Sequence, residues 1–290
     1  MMRSMSLALH AQAIVAAYHD RQPIDAAADF GPRGTAEAYA VQRAVWQTLA
    51  GDARPTAWKV AATAPATRPF AAPILPQRLF AGRPNSPASV PIDLFIRPGL
   101  EAEIAVRFGR DLPPRPQPYQ AAEIRAAIAD LCVAMEVIDS RLGDAQSAGS
   151  DWRLADHLLN GALILGTPLP DWQDLGLDAL QVRVYSGKQC LCDRPGQQPL
   201  GDLFHCLPWL IEHAGGLRAG DVVTTGAWTG MHPLDGLEGL ASLPFSCLVE
   251  FSALGSASLT LHPPAATARL PNPHPTQAAG MAQTTRASIR

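Results

Sequence analysis

Three carboxylates carry the chemistry that the sequence can suggest. In the run Leu100-Glu101-Ala102-Glu103-Ile104-Ala105-Val106-Arg107-Phe108, apolar residues recur at every second position from Ala102. Strand side chains alternate between faces, so Ala102, Ile104, Val106 and Phe108 share one face and Glu101 and Glu103 the other. Two like charges about 7 Å apart on one face repel each other unless they are solvated or bridged by a cation. The run therefore fits either a solvated outer face or part of a cation site. Glu136 bears on the choice, because it sits in Cys132-Val133-Ala134-Met135-Glu136-Val137-Ile138-Asp139, where most neighbours are apolar. A carboxylate in a buried strand has to be protonated, paired or metal-bound, since burying it bare costs several kcal/mol. Asp139 and Arg141 follow at once, so a structural Glu–Arg ion pair is one solution. The other is a hard divalent cation, Mg²⁺ or Mn²⁺, which takes oxygen ligands and keeps positions open for a substrate.

Other candidates are weaker. Cys190-Leu191-Cys192 has metal-ligand residue types but no matching Cys or His pair for zinc. The two cysteines fit one face of a strand that follows a turn at Ser186-Gly187. The eight histidines form no H-E-x-x-H or H-x-x-x-H pattern. There is no G-x-S-x-G elbow, no P-loop and no G-x-G-x-x-G after a strand, which removes serine-hydrolase, NTPase and dinucleotide-binding readings on motif grounds. Read from its neighbours alone, Lys59 packs its stem beside Trp58 with its head in water. Trp228-Thr229 fits an ordinary turn after a strand.

These residues need a framework, and helical and strand-like periods supply one. Residues 8–20 and 35–50 carry helical signals; in the second, Ala40, Val41, Val45 and Leu49 recur near a 3.6-residue period behind Thr35. The Pro- and Gly-rich segments 64–76 and 82–91 read as loops or sheet edges. Strand-like runs follow at 101–108, 133–138, 162–165, 181–185, 221–225, 247–251 and 256–261. Ile124, Ile128 and Leu131 predict a helix between the first two, and 204–213 predicts another, started or bent by Pro208. The organisation expected is α+β: a helical N-terminal part at 1–60, a β-rich metal-binding domain at 61–262, and a disordered tail at 263–290.

With 290 residues, the chain is long enough for a sizeable core without disulfides. Net charge is −3 with Lys and Arg scattered, which gives no footprint for nucleic acid. No apolar run reaches the roughly 20 residues that span a bilayer. Residues 1–17 read as helix rather than signal peptide, and five cysteines, an odd number, suit a reducing, cytoplasmic setting.

Taken in order, Trp58-Lys59-Val60-Ala61, Glu101-Ala102-Glu103-Ile104, Met135-Glu136-Val137-Ile138-Asp139-Ser140-Arg141 and Ala155-Asp156 resemble the 2-oxopent-4-enoate hydratase / 4-oxalocrotonate decarboxylase group of the fumarylacetoacetate hydrolase superfamily. Gly220-Asp221-Val222-Val223-Thr224-Thr225-Gly226 and Leu254-Gly255-Ser256-Ala257-Ser258 are similar to that superfamily's late strands. The likeness implies a fumarylacetoacetase-C-terminal-like mixed β-roll core with a small helical N-terminal part. It implies Mg²⁺ or Mn²⁺ held by Glu101, Glu103 and Glu136, and a Lewis-acid-stabilised enolate of a 2-hydroxydienoate or 2-oxo acid from aromatic catabolism. Lys59 matches the group's lysine and is expected to move a proton, its pKa lowered by burial and the metal. Water addition at C4, or loss of CO₂ in a decarboxylase, would follow. Thr229, Asp156, His157 and Asn160 are the polar groups expected at the substrate, and a homo-oligomer is implied.

The sequence also departs from the group. Pro69-Phe70-Ala71-Ala72 stands where hydratases usually carry Pro-Asp-Tyr-Gly, and Ala155-Asp156-His157-Leu158-Leu159-Asn160-Gly161 replaces Ala-Asp-Asn-Ala-Ser-Ser-Gly. Residues 143–151 lack the usual Asp-Trp-Lys. Two rivals follow: an acylpyruvate-type C–C hydrolase, which usually needs a His-Glu pair not seen here, and a diverged, non-catalytic binder of 2-oxo acids.

Overall fold

The computed structural model describes residues 2–25, 31–234 and 243–264. The chain opens with helices α1 (Met2–Asp20) and α2 (Thr35–Ala50), α1 starting ahead of the expected residue 8. Val41, Val45 and Trp46 form the buried stripe of α2, and Gly51, at φ 64°, ends the helix in a conformation that carries no Cβ penalty for glycine. Next come β1 (Ala57–Ala61), β2 (Phe70–Pro73), β3 (Leu79–Ala81), β4 (Ala88–Pro91) and β5 (Gly99–Phe108). The middle of the chain supplies α3 (Ala121–Ala127), β6 (Ile128–Ile138), α4 (Ser150–Ala155), β7 (Asn160–Leu165), β8 (Gln181–Ser186) and β9 (Gln189–Pro195). The last elements are α5 (Leu207–His213), β10 (Val222–Thr224), β11 (His232–Pro233), β12 (Phe245–Phe251) and β13 (Gly255–His262).

The strands form two sheets. The larger runs β2-β1-β10-β5-β6-β7-β3, with β11 added beside β5; the smaller runs β4-β13-β12-β8-β9. Most pairs are antiparallel, but β1 pairs β10, β3 pairs β7 and β4 pairs β13 in parallel. Ile104, Val106, Leu131, Val133 and Met135 meet Val182, Val184, Val249 and Leu259 in the main core between the sheets. A second core joins α1, α2 and α4 through Ile14, Val41, Val45, Trp152 and Leu154. The helical layer is therefore built from both ends of the first half of the chain, and it covers the outer side of the large sheet near Phe70 and Leu158.

Several expectations change. The helix through Ile124, Ile128 and Leu131 stops at Ala127; Ile128 and Leu131 open β6 instead. β6 pairs with β5 along nearly its whole length, and that ladder outweighs a local i, i+4, i+7 pattern. Segments 64–76 and 82–91, expected as loops or sheet edges, do hold edges: each contains a short strand, β2 and β4, at the end of its sheet, where proline's missing N–H is tolerated. The strand expected at 221–225 contracts to Val222–Thr224, and the helix expected from 204 begins at Leu207 with Pro208 in its first turn. The tail expected at 263–290 lies outside the described residues apart from 263 and 264. Among the described residues no helix is long and apolar enough to cross a membrane.

Candidate metal centre

The β5–β6 register sets Glu101 directly opposite Glu136, with Glu103 two residues further along β5 opposite Ala134. Residues i and i+2 of one strand and the cross-strand partner of i share a face, so the three carboxylates converge. One oxygen from each lies within 4.8 Å of the others. Glu103 and Glu136 are fully buried and Glu101 is half-buried. A solvated outer face is thereby ruled out.

Lys59 reaches this face from β1. Its Nζ lies 2.8 Å from Glu136 Oε2 and 3.7 Å from Glu101 Oε2, and it donates to the Leu158 carbonyl at 3.3 Å. The lysine head is therefore not in water. The Glu–Arg pair considered for Glu136 does not form either. Arg141 pairs with Asp156, Nε to Oδ1 at 2.5 Å, and stands 3.8 Å from Asp139. Burial works against the Arg141 charge, and Asp156, Tyr18 and Asp139 outweigh it, leaving its pKa raised.

The remaining carboxylate oxygens are unevenly served. Thr224 Oγ1 and the Gly226 N–H, the latter at 2.9 Å, both donate to Glu103 Oε2. Asn160 Nδ2 donates to Glu136 Oε1 at 2.7 Å. Glu103 Oε1 is buried and has no donor among the described residues. One ammonium faces three carboxylates, so the cluster carries an excess of negative charge. Burial pushes the Glu136 carboxyl up to about 8 despite Lys59, and burial with Glu136 raises Glu101. For Lys59 burial pulls the other way, but Glu136, Glu101 and Glu103 prevail and hold its pKa above the ordinary value. The lowered lysine pKa expected from the sequence is thus reversed in the protein as it stands. An all-oxygen donor set, an unserved buried oxygen and raised carboxylates are together what a hard divalent cation relieves.

The other expected site residues divide. Asn160 belongs to the cluster through Glu136. Asp156 does not reach it: its carboxylate accepts from Arg141 N and Nε and from Ser140 Oγ. His157 donates from Nδ1 to the Pro73 carbonyl at 3.0 Å, and burial drops its pKa to about 4, so the ring is neutral. Thr229 donates to the Gly230 carbonyl. Its turn is tied to β5 beside the glutamates, because Trp228 N–H donates to the Ala102 carbonyl at 2.8 Å. His157, Leu158 and Leu159 adopt φ of 51°, 54° and 62°, a left-handed run that side chains rarely accept. That run aims the Leu158 carbonyl at Lys59. Thr224, Gly226 and this carbonyl were not legible as site groups. A cavity of about 560 Å³ opens beside Lys59, walled by Arg68, Phe70, Arg153, Leu154 and Leu158 among others.

Two packed sheets with three converging glutamates and a buried lysine on the outer face of the larger one define a carboxylate-rich site on a mixed β-roll. The chain belongs to the fumarylacetoacetate (FAA) hydrolase C-terminal family, whose model matches residues 54–259. It is 32% identical over 142 residues to a 2-keto-4-pentenoate hydratase of Burkholderia vietnamiensis, covering 48% of this chain and 53% of that one. It is 29% identical over 136 residues to 2-keto-4-pentenoate hydratase 1 of Dechloromonas aromatica, covering 46% and 51%. The chain thus spans about half the length of the curated relatives it matches. In three dimensions it is similar to 4-oxalocrotonate decarboxylase from Pseudomonas putida G7 complexed with magnesium and adipate, with TM-score 0.72, 20% identity, and 90% and 98% of the two chains covered. A 5-carboxymethyl-2-hydroxymuconate delta-isomerase from Mycobacterium smegmatis shares the fold more loosely, with TM-score 0.53, 17% identity, and 72% and 76% covered.

Proposed function

We propose that the protein is a divalent-metal-dependent lyase of the 2-keto-4-pentenoate hydratase kind, adding water to a 2-hydroxydienoate or 2-oxoalkenoate. The observation that carries this reading is Glu103 Oε1, a buried carboxylate oxygen with no donor among the described residues, beside two further glutamates and a buried lysine. Glu101, Glu103 and Glu136 would hold Mg²⁺ or Mn²⁺, as magnesium accompanies the decarboxylase of the same fold. The metal supplies Lewis acidity toward the carboxylate and 2-oxo oxygens of a substrate, which favours its enol form. Thr224 and Gly226 orient Glu103, and Asn160 orients Glu136, so the donor set is fixed before any ligand arrives. Lys59 holds a proton on Nζ between the carboxylates and the cavity, where it can exchange it with a substrate carbon during ketonisation. Thr229, in the turn held over Ala102, is assigned to the substrate's C1 carboxylate. Asp156 and His157 act behind the site, through the backbone they fix.

A small 2-oxo acid as partner, a homo-oligomeric assembly and a cytoplasmic location complete the reading; five free cysteines suit a reducing compartment. Decarboxylation is the second reading, favoured by Phe70 in the cavity wall where hydratases of the group carry an aspartate. Loss of CO₂ draws on the same enolate chemistry and needs no activated water.

The test is the ultraviolet absorbance of freshly generated 2-hydroxypenta-2,4-dienoate mixed with protein, with and without Mg²⁺ or Mn²⁺. The expected result is metal-dependent loss of the dienol signal, 4-hydroxy-2-oxopentanoate as product, and no turnover by Lys59→Ala. Absence of both turnover and metal-dependent binding of oxalate or pyruvate overturns the reading.

A further inference from the structure

Helix α1 reaches the candidate metal centre through one aromatic ring. Tyr18, in the last turn of α1, sets its ring centre 4.4 Å from Arg141 Cζ. Arg78 lies over the same ring at 5.5 Å and over Phe95 at 5.8 Å. Its Nη1 donates to the carbonyls of Leu94 at 2.8 Å and Gly161 at 3.3 Å. A guanidinium taken out of water is attracted to the negative face of such a ring. The chain just past α1 adds a backbone grip. Ile24 N–H donates to the Arg141 carbonyl, and Gly143 N–H donates to the Ile24 carbonyl, both at 2.8 Å. The N-terminal helical layer thus holds Arg141 by its side chain and by its backbone.

Arg141 passes that constraint inward. Its Nε donates to the Asp156 carboxylate at 2.5 Å, Nη2 to the Asp156 carbonyl at 2.9 Å and Nη1 to the Asn160 carbonyl at 3.0 Å. Asp156 and Asn160 bracket the left-handed run at 157–159. Backbone of that kind persists only where its surroundings over-determine it. The run presents the Leu158 carbonyl to Lys59, and Asn160, which follows it, presents its amide to Glu136. We propose that Tyr18 is a positioning residue for the metal centre. Its ring orients the Arg141 guanidinium, which fixes the 157–159 turn and, through Leu158 and Asn160, the aim of Lys59 and Glu136. The proposal rests on the metal-centre reading above, and it gives α1 a task beyond covering the sheet.

Three substitutions in the full chain test this. Tyr18→Phe keeps the ring, Tyr18→Leu keeps apolar bulk without a π face, and Ile14→Val loosens α1 one turn earlier in the helical core. In calorimetry, Tyr18→Leu is expected to bind Mg²⁺ about tenfold more weakly than the wild type, a usual loss when an outer support of a metal ligand goes. Tyr18→Phe and Ile14→Val should stay within about twofold of the wild type. In metal-free protein, hydrogen exchange across residues 157–160 should quicken in Tyr18→Leu and not in the other two. Should Tyr18→Leu not fold, Tyr18→Met makes the same exchange of π face for apolar bulk. Unchanged Mg²⁺ affinity or unchanged exchange in that variant, whatever its melting temperature, overturns the proposal and leaves the metal reading standing. An equal loss of affinity in Ile14→Val also overturns it, because general loosening of α1 would then suffice. If the wild type binds no Mg²⁺, the metal reading falls and the positioning role with it.

Discussion

Glu101 and Glu136 stand directly opposite each other across β5 and β6, the least favourable arrangement for two carboxylates in a sheet. Lys59 lies between them at 3.7 and 2.8 Å, yet Glu103 on the same face keeps one buried oxygen without a donor among the described residues. The fold therefore concentrates negative charge where burial makes it expensive. Such an arrangement persists only if a ligand of opposite charge gains from it.

Replacing Glu103 by Gln should abolish binding of Mg²⁺ and Mn²⁺. Without metal, the variant should melt no lower than the wild type, since an unserved buried charge has gone. With metal at 100 times the wild-type Kd, the wild type should gain about 2.7 kcal/mol and the variant nothing. Thermal melts with and without metal, together with calorimetry, check both arms. A metal-induced rise in Tm in Glu103→Gln would count against the ligand assignment.

Lys59→Ala removes the one ammonium from three clustered carboxylates. Breaking a buried pair from one side costs roughly 3–5 kcal/mol. The expected outcome is a metal-free variant destabilised by about that amount in urea unfolding. Mg²⁺ should restore more stability to it than to the wild type, because the cation replaces a lost positive charge. Equal metal-induced gains in the two proteins would show that lysine and metal do not share these carboxylates.

His157 gives a pH dependence of stability. Its ring is neutral in the fold, with a pKa pushed by burial from 6.5 down to about 4. Between those values the unfolded chain binds the proton and the folded one does not, so stability falls as pH drops. The contribution is complete above about 6.5 and is lost progressively toward 4, amounting to about 3 kcal/mol at 1.36 kcal/mol per pH unit. Because Glu136, raised to about 8, and Asp156, raised to about 6, titrate in the same window with the opposite sign, the contribution is read as the difference in urea midpoint between the wild type and His157→Gln from pH 7.5 to 4, which should shift by this amount in favour of the variant as pH falls.

The legible part of the site was its local part. The alternation around Glu101 and Glu103 told of one shared face, and the apolar neighbours of Glu136 told of burial. Which strands lie side by side was not local. Thr224 and Gly226 serve Glu103 because β10 is inserted between β1 and β5, joining residues 57–59 to 222–224 and 105–107 in one ladder. Side-chain pattern in the 222–226 segment carries no trace of that neighbour. The same non-local pairing turned Ile128 and Leu131 from an expected helix into β6. The left-handed run at 157–159 was hidden because its residues are His, Leu and Leu rather than Gly or Asn. Its conformation is imposed by Arg141, which bonds Asp156 on one side and the Asn160 carbonyl at 3.0 Å on the other.

Asn160 is where that imposed backbone meets the candidate metal centre. Its side-chain amide donates to Glu136 Oε1 at 2.7 Å while its backbone carbonyl accepts from Arg141 Nη1 at 3.0 Å, so the residue ties Glu136 to the backbone that Arg141 fixes. Asn160→Ala leaves Glu136 Oε1 buried without a donor, at a cost of about 1–3 kcal/mol in the metal-free protein. Asn160→Asp has nearly the same shape but sets a fourth carboxylate against Glu136. The Asp variant should be the less stable of the two at pH 8 and should recover relative to Ala at pH 5, where protonation lets it donate as the amide does. If the two variants unfold at equal urea concentrations at both pH values, the amide contributes shape rather than a hydrogen bond. In that event the orientation of Glu136 must come from Lys59 alone.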